Sequence, residues 1–155
     1  MERFLNLSEK YFFLLKGKWN LNRSINDHGH MKGIATFSPF CMNPLALFYR
    51  EEGEHILQNG VAFSFFKEYI YCLNQKYIDV YFSYNTKRSA LFHKLLFEEA
   101  FESCLATGEH GCGKDTYKAI YQFFGLNTFT LQYDIRGPKK NLRIHTLFQR
   151  QSCIT

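Results

Sequence analysis

No stretch of this chain approaches the ~18–20 consecutive apolar residues of a membrane-crossing helix, so a helical span is not expected. The opening Met1-Glu2-Arg3-Phe4-Leu5-Asn6 lacks the basic region and long apolar segment of an export signal. The cysteines, Cys41, Cys72, Cys104, Cys112 and Cys153, are odd in number and contain no CxxC spacing. A disulfide framework is therefore not expected, and reduced thiols in a cytoplasm are the better reading. Linkers, low-complexity segments and internal repeats are missing as well. The formal charge of +5 is scattered, apart from Arg136-Gly-Pro-Lys139-Lys140-Asn-Leu-Arg143. Gly137-Pro138 marks that cluster as a hairpin turn, where solvated lysines are ordinary, and no nucleic-acid partner is expected.

What is present is aromatic. Of 155 residues, 17 are Phe and 10 are Tyr, and 46 % are hydrophobic, too many for a disordered chain. Aromatic residues favour pleated, half-buried surfaces, so composition leans towards β structure. Ser8–Lys16 reads as one short helix with Ser8 as N-cap, stopped by Gly17. From Lys18 the apolar period is close to two, with turn signals every eight to twelve residues. Trp19, Leu21, Arg23 and Ile25 share one strand face, and Met31, Gly33, Ala35 and Phe37 share another after an Asn26-Asp27-His28-Gly29 turn. Pro39 and Pro44 are expected to bracket a loop. Further strands are expected near 45–52, 56–66, 69–73, 77–83, 90–98, 102–107, 116–124, 128–136 and 142–150. Asn59-Gly60 would split the 56–66 segment into a hairpin. Many short strands with almost no helix predict one all-β domain over 1–155: a closed antiparallel up-and-down barrel of about 8–10 strands. A barrel of that size has room for side chains and one small ligand.

Parity then sorts the polar residues. Arg23 lies with Trp19 and Leu21. Tyr49 and Glu51 lie with Leu45 and Leu47, and His93 with Leu91, Leu95 and Phe97. Asp115, Tyr117 and Tyr121 share a face with Phe123, and Tyr133 shares one with Phe129, Leu131 and Ile135. Thr146 and Arg150 lie with Phe148. Buried charges must pair internally or meet a ligand. Arg23 is thus either a clamp for a ligand anion or the partner of Glu51 or Asp115. His93, Asp115 and Tyr117 are the candidates for acid–base chemistry. His110 and Cys112 precede Asp115 and Tyr117 in a glycine-rich segment that reads as a tight turn rather than a nucleophile and its base. His28 and His30 form an HxH pair with no third ligand at suitable spacing, so no metal site is assigned.

The helix leading into Gly17-Lys18-Trp19, together with Arg150 ending the last strand, resembles the lipocalin-like (calycin) barrels. That resemblance implies structural roles for both residues, with Trp19 closing one end and Arg150 packing across it. The chain also resembles a lipocalin-like family of bacteria and fungi catalogued as domain of unknown function 6314. Gly33-Ile-Ala-Thr-Phe37, Tyr49-Arg-Glu-Glu-Gly53, Leu91-Phe-His93, His110-Gly-Cys112…Asp115-Thr-Tyr117 and Gly137-Pro138-Lys139 carry the likeness. The residues themselves point to a pocket for an amphipathic or anionic small molecule lined by Arg23, Tyr49, Glu51, His93, His110, Asp115, Tyr117, Tyr121 and Tyr133. A cofactor-free isomerase, cyclase or hydrolase, or an interaction module with a filled barrel, are the alternatives. No particular cofactor follows from the sequence.

Overall fold

The computed structural model describes residues 6–26 and 28–152; Asp27 and Cys153, named above, lie outside the described residues. One helix, α1 (Leu7–Leu15), precedes ten strands: β1 (Gly17–Ile25), β2 (His30–Phe40), β3 (Asn43–Ile56), β4 (Ala62–Asn74), β5 (Tyr77–Tyr84), β6 (Lys87–Ala100), β7 (Ser103–Cys112), β8 (Asp115–Phe123), β9 (Thr128–Arg136) and β10 (Asn141–Arg150). Each strand pairs antiparallel with its sequence neighbours, and β1 pairs with β10, so the meander closes into a barrel. Trp19 faces Arg150 across that seam, and Arg23 faces Thr146.

Alternate turns fall at opposite ends, and the two ends differ. At the end where β1 starts, α1 lies across the barrel and buries Ser8, Tyr11, Phe12 and Leu15. Tyr11 packs on Phe123 with ring centroids 4.5 Å apart. Trp19 is fully buried, donates from Nε1 to the Leu15 carbonyl at 2.9 Å, and meets the edge of Phe129. The Arg150 guanidinium lies 4.2 Å from the Trp19 ring and donates to the carbonyls of Leu14, Lys16 and Leu126. This closed half is filled by Leu21, Phe37, Tyr121, Phe123, Phe129 and Phe148.

Several local expectations change. The helix cap is Asn6 rather than Ser8: Asn6 Oδ1 accepts from the Glu9 amide at 2.9 Å, while the Ser8 hydroxyl is held between Asn6 Oδ1 and the Gln75 carbonyl. Ser8 is drawn inward by packing, which outweighs its preference for the cap. Pro39 and Pro44 bracket no loop; they sit in β2 and β3, joined by a turn at Cys41-Met42, and the register slips between Pro39 and Phe40. Such a bulge tolerates a residue with no amide proton. The expected 56–66 strand is divided as the Asn59-Gly60 signal indicates, with Leu57 and Val61 bonded across the turn. The 69–73 strand is the later part of a longer β4. His110 and Cys112 lie within β7, and the turn is Gly113-Lys114.

The largest departure is in β6. Val80 pairs with His93 but Tyr81 pairs with Leu91, leaving Phe92 as an extra residue, and a second irregularity follows before Ser83 pairs with Arg88. Bulges turn consecutive side chains to one face. Phe92 and His93 are therefore both buried while Leu91 is exposed, although alternation placed Leu91 inside.

Candidate functional site

Because the closed half is packed solid, free space inside the barrel lies in the half opposite α1, while at the other end a groove of about 250 Å³ runs between α1 and the β2–β3 hairpin. In the open half a cavity of about 260 Å³ opens to solvent, lined by Lys67, Tyr69, Phe82, Phe92, His110, Cys112, Tyr117, Tyr133, Ile135 and Ile144. Phe92, delivered by the bulge, is the hub of its wall. Its ring packs at 4.5 Å from Phe82, 5.7 Å from Tyr69, 5.2 Å from His110 and 6.0 Å from Tyr133.

Beneath this cavity lies a smaller pocket of about 40 Å³, and Lys67, Tyr69, Tyr133 and Ile144 belong to both. Arg23, Tyr49, Glu51, Tyr71 and Leu131 complete its lining. Space of that size holds about one water molecule or one small polar group. Arg23 and Glu51 form a bidentate pair at 3.2 and 2.7 Å, and Arg23 Nε donates to the Thr146 hydroxyl at 2.7 Å. Burial is the largest influence and works against the Arg23 charge, but Glu51, Tyr49 and Tyr69 together offset it and hold the guanidinium pKa above its ordinary value. Of the two partners expected for Arg23, the structure supplies Glu51. Asp115 instead faces Lys140 at 3.5 Å near the rim.

The tyrosine hydroxyls form a belt around this pair. Tyr71 and Tyr121 share a hydrogen bond of 2.7 Å. Burial pushes Tyr49, Tyr71, Tyr121 and Tyr133 well above the usual phenol range, and pushes Tyr69 to about 12, with Glu51 adding to the effect. All five stay protonated at neutral pH and can donate. Lys67 stands where the two spaces meet. It reaches solvent through the mouth, yet surrounding protein and then the Arg23 charge lower its pKa, while Glu51 partly opposes this. No carboxylate lies within ion-pair distance of its ammonium among the described residues.

Of the candidates read from the sequence, His110, Tyr117 and Tyr133 line the cavity, and Arg23, Tyr49, Glu51 and Tyr133 line the pocket below it. Tyr121 is buried beneath both through its bond to Tyr71. His93 stands behind the wall: it is fully buried, stacked on Phe92 at 3.8 Å, and neither ring nitrogen has a partner at hydrogen-bonding geometry among the described residues. Burial lowers its pKa to about 4, which the Glu109 backbone partly offsets. His28 and His30 are exposed in and after the first turn, and His55 Nε2 lies 3.1 Å from the His28 carbonyl. Sequence reasoning missed Lys67, Tyr69, Phe82 and Phe92. A continuous strand through 67 would have put Lys67 in phase with Tyr69 and Tyr71; Phe92 had no comparable signal, because alternation gives it the wrong face.

A family model for a family of unknown function, DUF6314, matches residues 15–150. The chain belongs to that family. Among curated proteins no relative is detected. The DUF6314 barrel is similar in structure to an S-type phycobiliprotein lyase from Guillardia theta, with a TM-score of 0.66 at 10% identity over 94% of this chain and 93% of that one. It is also similar to Rv2717c from M. tuberculosis, with a TM-score of 0.54 at 9% identity over 96% and 100% of the two chains. At such identities the likeness establishes the fold alone, a closed antiparallel barrel of ten strands. No helix among the described residues of this DUF6314 chain is long and apolar enough to cross a membrane.

Proposed function

We propose that the barrel is a binding protein for a small amphipathic anion held in the open half. The observation that carries this reading is Lys67, which lines both the aromatic cavity and the pocket beneath it and has no carboxylate at ion-pair distance among the described residues. Arg23, Glu51 and Lys67 together leave one uncompensated positive charge, and a partly desolvated cation gains most from an anion in contact with it. Pockets for small molecules are mainly apolar with a few placed polar groups, which is the balance found here. An apolar cavity of 150 Å³ suffices for benzene, so about 260 Å³ suits one or two fused rings bearing a carboxylate. The tyrosine hydroxyls of the lower pocket, through one water or directly, would receive the second oxygen. The odd cysteine count supports a reducing, cytoplasmic setting for this role. A catalytic reading would rest on His110 and Tyr117, which line the cavity with centroids 6.3 Å apart, more than on His93 or Asp115.

Titration calorimetry with 2-naphthoate and its uncharged amide tests the reading, beside native mass spectrometry of protein purified from its own host. The carboxylate is expected to bind more tightly, and Lys67→Met to remove about tenfold of that preference, as loss of one charge-assisted contact does. Equal affinity for acid and amide in the parent protein would remove the anion from the proposal. Failure of both to bind, with only the bare mass in the spectrometer, would remove the ligand.

A further inference from the structure

The two ends of the barrel differ in charge as well as in packing. Turns after β1, β3, β5, β7 and β9 surround the mouth, and those after β2, β4, β6 and β8 surround α1. Three of the five mouth tips, Asn85-Thr86-Lys87-Arg88, Gly113-Lys114 and Gly137-Pro138-Lys139-Lys140, contribute five cations and no carboxylate; the tip after β3 has no charged residue, and the tip after β1 includes Asp27, outside the described residues. Lys140 has Asp115 beside it, and Arg88 lies over the Tyr81 ring. Lys87, Lys114 and Lys139 are exposed and have no ion-pair partner among the described residues. At this same end Val61, Phe63 and Tyr84 are 45%, 55% and 73% exposed. The opposite end carries exposed Met42, Phe101 and Leu126, and there cations and carboxylates are mixed, with Lys76 and Glu102 on the tips and Glu9, Lys10 and Lys16 on or beside α1.

We propose that the mouth docks on an anionic lipid surface. Lys87, Lys114, Lys139 and Lys140 would face the headgroups, and Val61, Phe63 and Tyr84 would enter the interfacial layer. Cations interleaved with exposed apolar side chains match such a surface in both respects: juxtamembrane lysines are attracted by anionic lipid, and aromatic rings favour the headgroup level. A nucleic acid would satisfy the cations but offer nothing to Val61. Docking in this orientation places the cavity against the bilayer. The surface contact does not depend on what the cavity holds.

Co-sedimentation with vesicles of phosphatidylcholine alone, or with one third phosphatidylserine, tests the proposal at low and high salt. Binding is expected to the anionic vesicles only, to fade with salt, and to fall on the order of a hundredfold in a Lys87→Gln/Lys114→Gln/Lys139→Gln variant, since each lysine contributes about fivefold. Phe63→Ser/Tyr84→Ser should weaken binding while keeping its salt dependence. Lys76→Gln, at the other end, should change nothing. All of these positions are solvated, and thermal melting of each variant would verify the fold. Equal binding to neutral vesicles, a triple variant that binds like the parent, or an equal loss in Lys76→Gln would overturn the proposal. So would indifference to both vesicles with salt-dependent binding to duplex DNA, which would assign the rim to nucleic acid. Naphthoate affinity in free solution should be the same in the triple variant and the parent, so failure of the rim and failure of the cavity are read separately.

Discussion

His93 has an imidazole buried to 0% exposure among rings, where the charged form loses its hydration and the Glu109 backbone makes up only part of that loss. Its pKa falls from 6.5 to about 4. As pH drops through 6.5 the unfolded chain takes up this proton and the folded one does not, so stability falls with falling pH. The loss continues to about pH 4, below which both states are protonated and it grows no further. That depression corresponds to roughly 3 kcal/mol in all. Urea unfolding between pH 7.5 and 4 should therefore show a His93→Leu variant losing less stability than the parent, by about that amount at the acid end. Parallel profiles would mean His93 is hydrated or partnered in solution. Legibility at this scale was uneven. Parity placed Arg23, Glu51 and His93 inside, because inward positions on regular strand segments follow from spacing alone. Which of Glu51 and Asp115 would meet Arg23 depended on registers between distant strands, and no local pattern encodes these.

Strands β1, β8, β9 and β10 keep a strict period of two, and their inner faces were legible from one end to the other. β6 was not. Its two extra residues relative to β5 reverse the alternation halfway along, and the run Ala90-Leu91-Phe92-His93 holds apolar side chains on both phases. The two prolines of the β2–β3 hairpin likewise read as breakers because a bulge that accommodates them leaves no mark in sequence. Gly33 and Gly53, opposite one another on β2 and β3, meet a different constraint. A Cβ on Gly33 would stand 2.1 Å from the Glu52 carbonyl oxygen, and one on Gly53 would stand 2.0 Å from that of Lys32. Both obstacles are backbone and cannot rotate away. Gly33→Ala or Gly53→Ala should each lower stability by about 1–3 kcal/mol, the range for forcing atoms into a packed site. Gly111→Ala, with nothing within 4 Å of its added carbon, should cost far less. Equal thermal shifts in all three would show that the β2–β3 contact relaxes in solution.

At the scale of the molecule, closure is a pairing between β1 and β10, more than a hundred residues apart, and it leaves the sheet without a free edge. Closure was inferred from strand number, since an open sheet of ten short strands would present two unpaired edges. A TM-score of 0.66 at 10% identity to the lyase shows that such a barrel forms from chains sharing few residues. Opening any one seam exposes two edges at once and unplugs the aromatic core shared by all strands, so partly open states should be scarce. Trp19, the sole tryptophan, reports on the closed end, whereas the tyrosines report on both halves, Tyr49, Tyr69 and Tyr133 on the open one and Tyr11 and Tyr121 on the closed one. Denaturant unfolding followed by Trp19 fluorescence, by near-ultraviolet tyrosine dichroism and by far-ultraviolet dichroism is expected to give one midpoint, as two-state unfolding requires. If part of the tyrosine dichroism were lost at lower denaturant than Trp19 fluorescence, the open half would be a separate unit of stability, free to breathe around its cavity while α1 and Trp19 hold the other end shut.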